Sequence, residues 1–468
     1  MNQILNIEQL KKNLGNHKHD IGNVSDILPF TTSFRNENTI KNFNVVIGDF
    51  VRKICRVEFM PKKKNAEYDL FQNDPIITNI IDEIEFSPEH RVDLERLLRN
   101  FLYNDQANVK VFHPYIYNFL PESDKPIYKK YAQFIADVLV YGNEDIRPIF
   151  TNKESEDLLS DLILTNLELK EAKSTNVRLY QPAFETITKL YQEDVLFISK
   201  HKDFFLKYFS LLTHFYTFIY VCQLFVKFEE MFKADYTRMK PLYFALEWEP
   251  LNKRRKAADE IEGYKFIKNN YHKLFVHIHT LSQLSLNSLC NPYEGSPKEK
   301  LKFYNYQELD DIFSSSPPDL LNQFITDINN WIAIYSDLFS KRVVTKGEGH
   351  DLKNAIQLLF KCISEGVNED AAKNYGKNIE NLAGNVFLKA RGSIGTVLNI
   401  NHDMLMLLTA ISVKDKRIPL KVLFEEYEKR GVAFDRISRK AIIELLDSYN
   451  LIDKKSDSGD AQYVKPIL

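Results

Sequence analysis

The sequence predicts a mainly α-helical protein: large multi-helix bundle domains followed by a C-terminal winged-helix domain with a small β-hairpin. Three observations carry that expectation. Glycine is scarce, 15 in 468 residues, or about 3% against a usual roughly 7%. Long stretches repeat apolar residues at three- and four-residue spacing, the period of an amphipathic helix. Residues 401–468 then read as three short amphipathic helices and a hairpin, the order of a winged helix.

At 468 residues the chain is too long for one ordinary domain. The breaks suggest four parts: a mostly helical 1–145, a long-helix bundle at 146–290, a helical domain with a basic linker at 291–395, and the winged helix at 396–468. The net charge of −2 gives no global field towards nucleic acid, so any DNA contact must be a local patch. Cys55, Cys222, Cys290 and Cys362 lie far apart and form no C-x-x-C. They read as small core residues in a reduced interior. Met1-Asn2-Gln3-Ile4-Leu5 shows no basic region leading into an apolar run, so no secretory signal is read there. A cytoplasmic setting is expected.

The first 60 residues are mixed, and Asn44 to Val51 fits either a strand or a helix start. Pro61-Lys62-Lys63-Lys64-Asn65 is a break with a charge run, read as a solvated loop. Helices dominate from Pro75 onward. Ser87-Pro88-Glu89 combines an N-cap, a proline at the first helical position and an early acid. Pro126 to Tyr141 is a further helix, closed by Gly142.

Glu154 to Cys290 reads as a run of long helices, broken at Gln181-Pro182 and near Trp248-Glu249-Pro250. Within it, the nineteen residues Tyr208 to Val226 lack any Asp, Glu, Lys or Arg, a bilayer-spanning length. Ser210, Thr213, His214, Thr217 and Gln223 interrupt the stretch, and its aromatics form no end belts. A helix buried inside a bundle is therefore expected, with no membrane partner. Lys253-Arg254-Arg255-Lys256 is the densest basic cluster. Lys253, Arg254 and Arg255 are candidate nucleic-acid contacts, although the following Asp259, Glu260 and Glu262 equally suit a solvated helix end. His272, His277 and His279 are spaced five and two apart, which is not the spacing of helical metal ligands. They read as core or surface histidines. Asn291 to Asp319 is the clearest boundary, ending in Ser314-Ser315-Ser316-Pro317-Pro318.

Motifs of chemistry are not found. The sequence has no G-x-x-x-x-G-K-[ST], no strand-linked G-x-G-x-x-G, no G-x-S-x-G and no H-E-x-x-H. No catalytic residue, cofactor or metal is assigned. A nuclease built on clustered carboxylates has too short a pattern to be read or excluded here.

In the C-terminal module the first helix runs from about Asp403 to Val413. The second starts at Pro419 and stops at Gly431, with Leu420, Leu423, Phe424 and Tyr427 in register. Phe434 is expected to plug the small core, and Asp435 to cap a third helix reaching about Tyr449. The expected buried face of that helix is Ile437, Ala441, Ile442, Leu445, Leu446 and Tyr449. Leu451 to Lys455 and Gln462 to Ile467 would pair as the wing, around Ser456-Asp457-Ser458-Gly459-Asp460. Arg436, Arg439 and Lys440 sit at the start of the third helix, where a recognition helix contacts base edges. Lys389 and Arg391, in the preceding linker, are candidate phosphate contacts. Against DNA binding, residues 401–468 carry 12 Lys or Arg and 11 Asp or Glu, and Asp457 and Asp460 place acid at the wing tip. On these residues DNA binding and protein docking weigh equally.

Several stretches of the module resemble the C-terminus of the DptG (DndG) family, the G subunit of the bacterial DNA phosphorothioation-dependent restriction system. They are Leu420-Lys421-Val422-Leu423-Phe424-Glu425-Glu426-Tyr427-Glu428-Lys429-Arg430-Gly431, then Phe434-Asp435-Arg436, then Asn450 through Val464. Arg391-Gly392-Ser393-Ile394-Gly395-Thr396-Val397-Leu398 and Asp403-Met404-Leu405 are similar to the same family. The resemblance implies a subunit of an antiphage complex that attacks DNA lacking the phosphorothioate mark. It also implies partner subunits of the DptF and DptH kind, including a P-loop ATPase or helicase. The expected function is thus a non-catalytic DNA-binding or scaffold subunit, with double-stranded DNA as a partner. A pure docking scaffold for the ATPase, or an undetected nuclease, are the alternatives.

Overall fold

A computed structural model describes residues 3–33, 40, 43–58, 77, 80–81, 90–104, 109–123, 125–172, 178–249, 263–292, 300–454 and 462–468. The Lys62-Lys63-Lys64 run, the Ser87-Pro88-Glu89 helix start, the Lys253, Arg254, Arg255 cluster and the Ser456 to Asp460 turn lie outside the described residues. The protein is mainly helical, as its composition predicts. By contact the chain groups into two units, each assembled from separated segments. The expected boundaries at 145, 290 and 395 are divisions along the chain, and the contact grouping cuts it elsewhere.

One unit comprises Asn42–Arg178 and Tyr191–His214. Its centre is the helix Asn44–Cys55 packed on the helix Pro126–Val138. The ambiguous stretch from Asn44 is helical because Val46, Ile47, Phe50 and Val51 bury one continuous face. Asp49 and Arg52, buried one turn apart, form an ion pair within that helix, and Arg52 Nη1 donates to the Leu120 carbonyl at 2.7 Å. Gly48 lets the chain pass close by, since a Cβ there would lie 2.8 Å from Leu120 Cβ. A satellite core gathers Ile80, Leu98, Leu102, Tyr115 and Ile163. A two-residue ladder pairs β1 (Val57–Glu58) antiparallel with β2 (Lys170–Glu171).

The other unit comprises Met1–Lys41, Leu179–Leu190 and Phe215–Leu468. Its helix Lys273–Ser285 is buried all round, and it packs on Leu352–Gly366 and Glu369–Gly376. Pro318–Leu338 also packs on Leu352–Gly366, starting with proline in its first turn as the Pro317-Pro318 break predicts. Trp331 is fully buried there, and its Nε1 donates to Gln283 Oε1 at 2.8 Å. Asp327 accepts the backbone N–H groups of Ile4 and Leu5 at 2.7 and 3.0 Å, which anchors the start of the chain. His277 and His279 are core residues.

The helix Lys202–Glu230 begins in one unit and finishes in the other. The stretch it opens, to Lys233, is long and apolar enough by composition to cross a membrane, yet 89% of its apolar window is buried inside the protein.

The long-helix reading of residues 154–290 misses a strand. β3 (Leu242–Leu246) is buried at every residue, the pattern of a parallel strand covered on both faces. The Lys389 to Gly395 stretch, expected as a linker, is also structured: β4 (Leu388–Ala390) turns back through residues 392–394 into β5 (Thr396–Ile400). Gly392 at φ 55° and Gly395 at φ 87° make that turn, in backbone conformations that disfavour side chains. With β6 (Ile418–Pro419) and β7 (Val432–Ala433) the larger sheet can be completed: its order is β4-β5-β3-β7, and β3 is parallel to both β5 and β7. A second small sheet has the order β6-β9-β8, where β8 is Ile452–Lys454 and β9 is Gln462–Val464. Residues 396–468 therefore share a sheet with a strand some 150 residues earlier, which joins the C-terminal elements to the middle of the chain.

Candidate functional site

The C-terminal helices start and stop where local chemistry directs. Asn401 caps His402–Val413 by accepting the Met404 N–H at 2.9 Å. Leu420–Lys429 ends at Gly431, whose φ is 80°. Arg430, 1% exposed, is satisfied by Glu426 Oε2 at 3.0 Å and the Ile411 carbonyl at 3.1 Å. Phe434 is buried against Tyr427, as expected of a core plug. Asp435 caps Arg436–Ser448 through the Ser438 N–H at 2.7 Å.

That last helix presents a different face from the one its periodicity suggests. Ser438, Ile442 and Leu446 are buried, whereas Ile437 is 58% and Tyr449 50% exposed. The reason lies outside the helix. Ser438 donates its hydroxyl to Glu249 Oε2 at 2.9 Å, and Glu249 is itself buried beyond the end of β3. One buried hydroxyl-to-carboxylate bond turns the helix by about a residue, because leaving that carboxylate unpaired in the core would cost more than exposing one isoleucine.

The candidate cations fall into two groups. Arg436 and Lys440 are exposed on the first turns of the helix, Lys440 making only a loose i,i+4 pair with Glu444 at 3.7 Å. The others are held by the protein. Arg439 donates through Nε to the Phe434 carbonyl at 3.0 Å and through Nη2 to Glu428 at 2.7 Å, and it lies over the Phe424 ring. It clamps two helices together. Lys389 pairs with Glu247 at 3.0 Å. Arg391 donates to the carbonyls of Leu246, Glu247 and Glu249 at 2.8, 3.1 and 3.3 Å. These carbonyls lie where β3 runs out of ladder partners, so the guanidinium ends the strand as a cap.

The linker cations and the third helix, far apart in sequence, thus converge on residues 246–249. An element missed by sequence reasoning lies there. Trp248, 42% exposed, stands 6.4 Å from the His402 ring, which stands 5.5 Å from the half-exposed Tyr449 ring. The three rings form a row on the surface. In the sequence Trp248 marks only a helix break, and nothing local connects it to Tyr449. Among the described residues no cluster of three His, Cys, Asp or Glu side chains is arranged to hold a metal ion.

Fold and surface define a mainly helical protein with a helix–strand C-terminal unit fastened to a buried parallel strand. Comparison with protein-family models and with curated proteins finds no match.

Proposed function

We propose that this chain is a non-catalytic scaffold subunit of a bacterial phosphorothioation-dependent restriction complex, working in the cytoplasm beside a P-loop ATPase or helicase subunit. The setting rests on the resemblance of residues 391–405 and 420–464 to the DptG family. In this reading residues 396–468 form a winged helix whose surface row Trp248, His402 and Tyr449 docks a partner subunit. The observation that carries the docking role is that row of exposed rings, set beside cations already committed to internal carbonyls and carboxylates. Tryptophan, tyrosine and arginine dominate the energetics of protein interfaces. A phosphate-binding surface needs cations that are not neutralised in place.

Co-purification of the full chain with its ATPase partner tests this. Trp248→Ala combined with Tyr449→Ala should abolish the complex while leaving the fold intact by circular dichroism. Unchanged assembly would overturn the docking role.

Direct DNA contact is the second reading, favoured by the exposure of Arg436 and Lys440 on the first turns of a third helix. It requires duplex affinity that falls steeply between about 50 and 200 mM salt, and that Arg436→Glu with Lys440→Glu abolishes. Salt-insensitive or undetectable binding by the full chain removes it.

A further inference from the structure

The unit that begins at Met1 contains a cavity of about 190 Å³ lined by His19, Asp20 and Asp26 from the N-terminal stretch. Phe275 and His279 from the helix Lys273–Ser285, and Tyr375 from Glu369–Gly376, complete its main walls. Phe275 and His279 stand four residues apart and so share one helix face. The Phe275 and Tyr375 rings lie 5.4 Å apart at 60°. The His279 ring meets His19 edge-on at 5.5 Å. His279 is 4% exposed, and its Nδ1 has no hydrogen-bond partner. A buried polar ring with an unused nitrogen is costly unless something fills the space beside it.

The lining has a definite chemical character. Burial, with the Arg342 cation adding to it, holds His19 down to about 4, and burial holds His279 down to about 3. Both imidazoles are therefore neutral at pH 7, each with one N–H and one acceptor nitrogen. His19 Nε2 is hydrogen-bonded to the Tyr335 hydroxyl at 2.7 Å. The carboxylates only accept. Asp20 Oδ1 takes the Gly22 N–H at 2.9 Å, and Asp26 is paired with Lys300 at 2.5 Å. The cavity thus joins aromatic walls, carboxylate acceptors and neutral imidazoles. An apolar cavity of about 150 Å³ admits benzene, so this one has room for a heterocycle of one or two rings.

We propose that the cavity is a binding site for a nucleobase bearing an exocyclic amino group: adenine, cytosine or guanine. Such a base stacks on the Phe275 and Tyr375 rings, a contact every base makes. Its amino group donates to a carboxylate, as cytosine N4 does to Asp or Glu, and its ring nitrogens meet the imidazoles. Aromatic stacking combined with hydrogen bonds to the Watson–Crick edge is how pockets hold single bases. Uracil and thymine turn a carbonyl oxygen towards the acceptors and are rejected. The site is independent of the docking row.

The test is titration of the full chain with adenosine, cytidine, guanosine and uridine, read by calorimetry and by thermal shift. At least one amino-bearing nucleoside should bind in the millimolar range or tighter, and at least tenfold more tightly than uridine. Asp20→Asn, at an exposed position, supplies an amide donor and should narrow that preference at least threefold. His279→Phe should abolish binding. Should that variant fold poorly, Asp20→Asn still decides, because its readout is a ratio. A single-stranded oligonucleotide with one adenine among abasic sites separates the sources: tighter binding than adenosine assigns a strand, weaker binding a free nucleoside. No shift with any nucleoside at several millimolar, or equal binding of uridine, overturns the proposal.

Discussion

Acidification between pH 7 and pH 5 should destabilise the unit that holds His19 and His279 by an amount that can be worked out. In the unfolded chain each imidazole titrates near 6.5. In the folded chain burial, joined by Arg342, holds His19 at about 4, and burial holds His279 at about 3. Because the folded value is the lower one, the unfolded state binds more protons in this window and stability falls as pH falls. The contribution is complete above pH 6.5 and is lost progressively below it, down to the folded values. Each group costs about 1.4 kcal/mol per pH unit. At pH 5 each has therefore cost roughly 2 kcal/mol, or about 4 kcal/mol together. His277 works in the same direction, since burial lowers it and the Glu229 carboxylate only partly opposes that. Lowered carboxylates such as Glu229 and Glu426 lose their contribution only at more acidic pH. The assay is urea unfolding at pH 7, 6 and 5, followed by Trp331 fluorescence in a Trp248→Phe background. His279→Phe removes one titrating ring and should reduce the loss between pH 7 and pH 5 by roughly 2 kcal/mol. Parallel pH dependence in the two proteins would refute the assignment of His279 as a buried neutral ring.

Three further outcomes follow from the packing. Arg391→Ala strips the cap from the carbonyls beyond β3 and should cost about 1.5–3 kcal/mol in thermal or urea unfolding. Arg391→Lys should recover little, because one ammonium cannot reproduce a planar fork. Gly366→Ala would ordinarily strengthen a helix by about 1 kcal/mol, but here the new Cβ would stand 2.2 Å from the Tyr335 hydroxyl. The expected result is a loss of about 1–3 kcal/mol, and an increase in stability would contradict the packing. Arg439→Ala should lower stability by about 1 kcal/mol, the half-exposed pair with Glu428 being screened by solvent and the stacking on Phe424 adding to it. Lys440→Ala should stay within about 0.5 kcal/mol of the parent, so the two unfolding curves separate a clamp from a free surface cation.

The C-terminal third shows how far sequence reading reaches. Asp435 as a cap, Gly431 as a stop, Phe434 as a plug and the strands on either side of residue 457 were all readable, because each depends on neighbours within a few positions. The third helix was placed correctly along the chain and misjudged in rotation. Ile437 and Ser438 are adjacent, and apolar periodicity prefers to bury the isoleucine, but it contains no information about Glu249. Likewise, the basic residues were found by type alone. Whether a guanidinium faces solvent or three carbonyls depends on where a distant strand ends. The short apolar run Leu242 to Leu246, preceded by Pro241, carried a strand signal that the surrounding helices obscured.

The sequence by itself determined the helical character, the helix boundaries and the chemical types available at the C-terminal module, since these follow from propensity, capping and spacing over one or two turns. Only the tertiary structure decided that β3 lies between β5 and β7, that Arg391 and Arg439 serve the fold, and that Trp248, His402 and Tyr449 form one row. Those outcomes depend on pairings across some 150 to 200 residues. There the partner of a polar group or strand edge is selected by the whole buried environment, and local pattern has no means of naming it.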